Sequence, residues 1–435
     1  RRDAALVTPP RTPEDEAPAA GFFPWAVWLL AAIFYCYIFF VRVAPSVMVA
    51  ELMREFSVNA AILGNLSAVY FYAYAGMQLP VGILHDRFGP RRVLTGAAML
   101  CALGSLLFAT AESLTMAYIG RLLIGAGAGF ALVGTLKVAS IWHPPRRFAL
   151  LTGLAISFGM VGAIGAQAPL AAAVAVTGWR WSMVIAAAFS CVLAALIWLV
   201  VRDRVGPRPE AEPPGQPGAL ASLRDVMMTP QTWYMALIGG ATGAPVLGFA
   251  SLWGVPYMME AYGIGRPLAA LSTSLMLIGF AVGAPLFGWC SDRIGRRKEQ
   301  LVAGCVVMLL SFVAAVYTPG IPLWLVQTLL FVNGLAVGSC LIAFAVAREH
   351  NRPGAVGTTT AVVNIMAVGG GGALQPIIGW ILDLQWDGRM ESGARLYSAE
   401  AYEAAFLTIA AFLAGSIPIA LMVRETYCRQ VRLAA

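Results

Sequence analysis

Residues Gly82–Arg92 read GILHDRFGPRR and form a charged turn between two long apolar runs. The pattern returns in the second half of the chain, where Gly288–Arg297 reads GWCSDRIGRR. Each copy contains a glycine, three residues, Asp-Arg, an apolar residue and a second glycine, followed by a pair of arginines. A charged turn that is duplicated in an otherwise apolar chain predicts a protein made of two similar halves.

The composition places most of the chain in lipid. The 435 residues are 59% hydrophobic and only 12% charged, and the mean hydropathy is +0.76. A soluble protein carries about a quarter charged residues. The formal net charge of +7 does not indicate a nucleic-acid partner, because the basic residues are scattered between the apolar runs.

Twelve apolar segments are long enough to span a bilayer, which takes about 20 residues. They predict an all-α membrane protein with twelve transmembrane helices in two pseudo-symmetric six-helix bundles. The predicted spans are 24–48, 60–84, 93–111, 115–140, 148–174, 181–201, 231–257, 267–290, 300–318, 322–347, 358–382 and 401–423. The predicted units are a disordered tail (1–20), a first bundle (21–201), a linker (202–230), a second bundle (231–423) and a tail (424–435).

The distribution of basic residues predicts the orientation. Cytoplasmic loops carry an excess of Lys and Arg, and most of the 29 basic residues lie in the two tails, the linker and the loops that follow the even-numbered spans. We therefore expect both termini and the linker to be cytoplasmic, in a multi-pass protein of the inner (plasma) membrane.

The remaining reactive residues do not indicate an enzyme. The seven cysteines and three histidines have no metal-site spacing, and no nucleophile is clustered with a base. We therefore expect no metal, no cofactor and no catalytic site. The expected partners are the lipid bilayer and a small-molecule substrate, and the expected state is a monomer.

At this point the chain resembles the major facilitator superfamily over essentially its whole length. Its duplicated turn matches the signature between helices 2 and 3 of that family and its weaker copy between helices 8 and 9, although Pro90 stands where a basic residue is usual. In that family the turns latch the two bundles together. The resemblance therefore implies a latch made of Gly82, Asp86, Arg87, Gly89, Arg91, Gly288, Asp292, Arg293, Gly295 and Arg296.

Charges inside the spans are the better indication of a substrate site, because they are costly in a membrane and usually functional. Arg42 lies near the outer end of the first span, and Arg121 lies at a similar depth in the fourth. Tyr35 shares a helix face with Arg42. The stretch 35–48 looks like helix 1 of the organophosphate and organic-anion branches of that family, in which an arginine at the place of Arg42 binds the anionic group. For Arg121, a role in helix packing is left open beside ligand contact.

Further candidates come from other spans. Lys137 is a possible ligand, although it lies near the inner boundary, which its side chain can reach. Trp253 stands at the pseudo-symmetric position of Arg42, where the phosphate exchangers of the resembled branch carry a second arginine, so the sequence does not favour a phosphate. Asn364 and Gln375 offer hydrogen bonds to a substrate, or between helices.

We therefore predict a secondary transporter that moves a small polar organic solute, an organic anion, amino acid or short peptide, by alternating access. All acidic residues lie in loops or at span ends, which disfavours proton coupling through a mid-membrane carboxylate. The alternatives are a proton-coupled drug or cation exporter and a non-transporting nutrient receptor. An exporter would need an intramembrane acid, and a receptor would need a cytoplasmic signalling domain.

Overall fold

A computed structural model describes residues 22–78, 80–144, 147–203, 219–352 and 355–430, and these residues form two helical halves. The helices of the first half are α1 (Phe23–Val43), α2 (Val49–Phe56), α3 (Ala60–Met77), α4 (Pro80–Ala109), α5 (Leu114–Ala128), α6 (Ala131–Trp142), α7 (Phe148–Gly165), α8 (Ala168–Thr177) and α9 (Trp179–Val200). A 3-10 turn, Ala44–Val47, follows α1.

The second half repeats this arrangement with two π-helical insertions. Its helices are α10 (Ala219–Met228), α11 (Pro230–Ala244), α12 (Gly254–Tyr262), α13 (Arg266–Ile294), α14 (Arg297–Tyr317), α15 (Leu323–Val337), α16 (Cys340–Glu349), α17 (Val356–Ile365), α18 (Gly371–Leu384) and α19 (Ala399–Met422). Pro245–Trp253 is π-helical between α11 and α12, and Met366–Gly370 is π-helical between α17 and α18. A short hairpin, β1 (Met390–Glu391) and β2 (Ala394–Arg395), precedes α19.

The prediction of a twelve-span membrane protein is confirmed. Among the described residues, eleven helices are long and apolar enough to cross a membrane, and a twelfth results if Val49–Phe56 and Ala60–Met77, which meet at 110°, are counted as one bent span. Several spans are broken within one helix line. Pro45 and Pro169 lie at two of these breaks, and each lacks the backbone N–H that a continuous helix requires. Pro376 lies inside the continuous helix α18.

Two predicted boundaries differ from the structure. The turn Gly82–Arg92 is helical on both sides of one residue, Gly89, which has φ 77° and ψ 158°. Only glycine adopts this conformation readily, and Pro90 then begins the next helix with its fixed φ. The predicted linker contains the helix α10, because its Val226 packs against the start of α17. Residues 1–21 and 204–218 lie outside the described part of the chain.

In the described residues, the main apolar core that the two halves share lies at one end of the molecule. We name this end, which contains Ala60 and Asp383, the far end; the near end holds Phe23 and the two charged turns. The shared core includes Leu63 from the first half and Trp253 from the second. Another core belongs mainly to the first half, and a third belongs to the second half alone. The structure is therefore closed at the far end.

Candidate functional site

Arg42 lies in the last turn of α1 and is half-buried. Its guanidinium carbon is 5.0 Å from the centre of the Phe39 ring and 5.1 Å from that of Phe71, distances at which a cation is attracted to a ring face. Within the described parts of the chain, Arg42 has no hydrogen bond and no ion pair. A positive charge at membrane depth is thus flanked by aromatic rings and carries no anionic partner.

Three tyrosines extend this aromatic surface. Tyr35 lies two turns before Arg42, and its ring packs edge-on against Phe39 at 4.9 Å. Tyr70 stacks with Tyr74 at 6.4 Å on α3. The Phe39 ring therefore contacts both Tyr35 and the guanidinium of Arg42. The predicted association of Tyr35 with Arg42 therefore has geometric support.

Arg121 has a different environment from Arg42. It is 1% exposed, its Nη1 donates to the carbonyl of Val41 at 3.0 Å, and its Nη2 donates to the carbonyl of Ser67 at 3.2 Å. The Val41 carbonyl has no intrahelical donor four residues on, because that residue is Pro45. Arg121 satisfies this carbonyl and so braces the turn that presents Arg42. The geometry favours the packing role that the sequence left open.

Trp253 and Gln375 are bonded to each other in the second half. Both are fully buried, the Trp253 Nε1 donates to the Gln375 carbonyl at 3.0 Å, and the Gln375 amide donates to the carbonyl of Leu247 at 2.7 Å. Leu247 and Trp253 both lie in the π-helical segment Pro245–Trp253. Segments of this kind, in which each carbonyl pairs with an N–H five residues on, occur often at functional sites. Because both side chains are buried in this conformation, neither is accessible to a solute while the far end is closed.

Asn364 and Lys137 lie nearer the other end. The Asn364 amide faces the Tyr74 hydroxyl of the first half at 3.5 Å, a long and weak contact. Lys137 lies five residues before Trp142, whose ring contacts Phe23 at 5.3 Å. Counted along the helices from that level, Arg42 lies about 20 Å beyond Lys137. The two cations therefore do not form one binding site.

The first copy of the charged turn is bonded within its own half. The Asp203 carboxylate, which follows α9, accepts the backbone N–H of Arg91 at 2.9 Å. The Arg91 side chain donates to the carbonyl of Trp198 at 2.8 Å and lies 4.3 Å from its ring. Arg87 is exposed, with Phe88 beside it. The side chain of Asp86 lies outside the described residues.

The second copy has a larger charge network. Arg297 donates to Glu349 at 2.9 Å and to Asp292 at 2.7 Å. Glu425, which follows α19, accepts the backbone N–H groups of Arg297 and Lys298 at 2.9 and 2.8 Å. Burial by itself would raise the pKa of the Glu425 carboxyl, but bonds from four backbone N–H groups hold it below its usual value.

In the described part of the chain, the carboxylates that accept N–H groups at the helix starts after the two turns are Asp203 and Glu425, which follow α9 and α19. The sequence did contain a signal, since an acid follows the sixth and the twelfth span. In the second copy, Arg293 is exposed and Arg296 pairs with Glu299 at 2.6 Å. The latch between the halves stays a prediction.

A cluster at the far end joins the halves and was missed in the sequence. The Asp383 carboxylate of α18 accepts the backbone N–H of Ala61 at 2.9 Å and that of Ala60 at 3.2 Å. The hydroxyl of Tyr397 donates to the same carboxylate at 2.6 Å, and Arg395 pairs with it at 3.2 Å. Asp383 immediately follows the eleventh predicted span, and an acidic residue in such a position is usually just a solvated residue at the end of a span.

Comparison with known proteins identifies the class of protein that contains this arrangement. The family model described as Major Facilitator Superfamily matches residues 27–255 and 246–427. The solved structure of a bacterial homologue of the human lysosomal transporter Spinster, inward-facing and occupied, superposes with a TM-score of 0.77 at 17% identity, over 93% of this chain and 97% of that one. At this identity the likeness shows the fold.

Two curated relatives are similar in sequence. A probable sulfoacetate transporter of Cupriavidus necator is 26% identical over 281 residues, which cover 61% of this chain and 65% of that protein. The match thus spans less than two thirds of that relative. A probable nitrate/nitrite transporter of Mycobacterium tuberculosis is 28% identical over 339 residues, which cover 75% of this chain and 80% of that protein.

Proposed function

This chain belongs to the major facilitator superfamily of membrane transporters, and on that premise we propose that it carries a small organic anion by alternating access. Arg42 binds the negative group of the solute, and the rings of Phe39, Phe71 and Tyr35 contact the rest. The multi-pass membrane location and the transport class follow from the family. The plasma membrane, the cytoplasmic termini, the bundle boundaries and the monomeric state belong to the proposal.

The observation that carries the proposal is the unpaired charge of Arg42. A half-buried guanidinium at membrane depth is costly, and a bound anion offsets that cost by forming charge-assisted hydrogen bonds. Arg121 is buried and directs both of its Nη atoms to backbone carbonyls, so Arg42 is the cation that we assign to the solute. We therefore expect a solute with one strong anionic group, such as a carboxylate or sulfonate. The named solutes of the two relatives, sulfoacetate and nitrate or nitrite, are anions.

The same site disfavours the alternatives. A cation exporter would have to bring a second positive charge next to Arg42, which costs energy through like-charge repulsion. Both relatives are named as probable transporters, so at the level of the family we infer that this protein is a transporter and not an enzyme. An amino acid or short peptide fits only if its carboxylate meets Arg42 while its ammonium group lies toward Tyr74 and Asn364.

Replacing Arg42 tests the proposal. In proteoliposomes with sulfoacetate or nitrate as probes, Arg42→Ala should lower uptake by about a hundredfold, which corresponds to the loss of roughly 3 kcal/mol from a charge-assisted contact. Arg42→Lys should recover part of the uptake rate, because lysine keeps the positive charge but lacks the planar guanidinium that binds an anion through two N–H groups.

The matched control is Arg224→Ala, which removes an exposed arginine of α10 and should leave uptake unchanged. Protein abundance and melting temperature should be equal in all four proteins. If Arg42→Ala transports at the wild-type rate, the site is wrong. If the wild type moves cationic solutes and neither anion, the solute class is wrong.

A further inference from the structure

We propose that Asp383 is the residue that holds the two halves together at the far end, and that breaking its bonds to α3 is the step that opens the carrier there. The inference rests on the proposed transport cycle and adds to it a residue whose role is separate from solute binding.

The bonds of Asp383 are made to a helix N-terminus. The first N–H groups of a helix have no intrahelical partner, and this end of the helix carries partial positive charge. In α3 the Asn59 side chain accepts the N–H of Ile62 at 3.0 Å. The N–H groups of Ala60 and Ala61 are left to Asp383 of the opposite half. The first turn of one half is thus completed by a carboxylate of the other.

The second half holds this carboxylate in place. Tyr397 donates its hydroxyl to Asp383 and at the same time accepts the N–H of Ala60 at 3.1 Å. Arg395 pairs with Asp383 and is held in turn by Trp386, whose ring lies 4.1 Å away. The side chain of Asp383 is only 12% exposed. A fixed and partly dry carboxylate forms stronger bonds than a mobile, solvated one.

The pseudo-symmetric crossing of the halves has a different chemistry. There Gln167 of the first half donates to the carbonyl of Ala250 at 2.8 Å and accepts a bond from Thr273 at 3.1 Å. These contacts are neutral hydrogen bonds, which are about half as strong as those of a charged acceptor. One further ion pair, between Glu51 and Arg266, joins the halves beside the Asp383 cluster. Among the described residues, the charged contacts that join the halves at the far end are therefore the Asp383 cluster, where α18 meets α3, and this single ion pair between α2 and α13.

A reporter thiol measures the opening of this end. Ser46 is 1% exposed and lines a cavity of about 340 Å³ between the halves, facing Val255 and Tyr397 of the second half. In lipid nanodiscs, the labelling rate of Ser46→Cys by a sulfonated maleimide reports the fraction of molecules that are open at the far end. The labelling of the native cysteines, measured on the parent chain, is subtracted. No solute is required, so the result is independent of what is transported.

We expect Asp383→Asn to raise this labelling rate roughly tenfold, since it removes the charge from two bonds to α3. The matched control is Asp387→Asn, which removes an exposed aspartate whose pair with Arg389, at 2.7 Å, lies within one loop; it should leave the rate unchanged. Tyr397→Phe should give a smaller increase and serves if Asp383→Asn does not fold.

Two results would overturn the inference. One is an equal labelling rate for Asp383→Asn and Asp387→Asn; the other, where only the tyrosine variant folds, is an unchanged rate for Tyr397→Phe. Either result leaves the proposed role of Arg42 intact, because uptake of sulfoacetate or nitrate tests that role separately.

Discussion

The two ends of the molecule use glycine in opposite ways. At the far end, a Cβ on Gly64 would lie 2.5 Å from the carbonyl oxygen of Gln375, and one on Gly379 would meet the backbone of Ala60. At the near end, Cβ atoms on Gly82 and Gly288 would have no described atom within 4 Å. The far-end glycines are needed by the conformation observed. Gly82 and Gly288, the first glycines of the two turns, have no such need in this conformation, and the predicted latch would use them in another conformation of the cycle.

The largest expected effect comes from filling the far-end contact. Gly64→Leu places a side chain against the backbone of Gln375, where a helix cannot move aside without separating the halves. Overpacking of this kind costs about 1–3 kcal/mol, so we expect lower thermal stability and a loss of transport of at least tenfold.

Gly76→Ala is the matched control, because it lies on the same helix and its Cβ would have no described atom within 4 Å. Melting temperature and uptake should stay at wild-type values in that variant. Normal transport by Gly64→Leu would show that the far end does not need to close as tightly as observed.

A second effect should separate stability from transport at the near end. Gly82→Leu should change the free energy of unfolding by less than about 0.5 kcal/mol, as surface substitutions do, because the site is open in this conformation. Transport should nevertheless fall by at least about tenfold, since the predicted latch needs close approach at this glycine.

Measuring melting temperature and uptake on the same preparation checks both parts. Gly153→Leu, at another open near-end glycine that is not part of the duplicated turn, is the control. If Gly82→Leu and Gly153→Leu transport equally well, the latch prediction is wrong.

The smallest effect concerns the charge network of the second turn. The pKa of Glu425 is lower in the folded protein than its usual value near 4.5. Its contribution to stability is therefore fully present above that value and is lost as pH falls through the lowered pKa. We expect Glu425→Gln to lower stability by about 1 kcal/mol at pH 7, the usual cost of losing a helix N-cap.

At pH 3 the variant and the wild type should differ less than at pH 7. Thermal unfolding at the two pH values checks this, with Glu299→Gln as the control, because Glu299 is an exposed acid in the first turn of α14, the helix whose N–H groups Glu425 accepts. A difference that is the same at both pH values would show that folding does not lower the pKa of the Glu425 carboxyl.

The fold was predictable because it depends on local and repeated features. Twelve apolar runs, the duplicated turn and the central break specified two six-helix halves, and the structure agrees. The site was predictable in part. Arg42 stood out as a charge in an apolar run, whereas for Arg121 the choice between helix packing and ligand contact stayed open. The two arginines differ in their hydrogen-bond partners. Arg121 reaches the Val41 carbonyl, which lacks an intrahelical donor, only because α1 and α5 pack together.

Sequence alone determined that the chain spans a membrane in two related halves. Burial in lipid requires long apolar runs, and the charged turn recurs in the second half of the sequence. Tertiary structure decided which end is closed and which groups close it. Asp383 and Ala60 are more than three hundred residues apart, and a carboxylate at a helix end acquires a role only when another helix begins beside it. Such pairings depend on packing between the halves, and no local pattern encodes them.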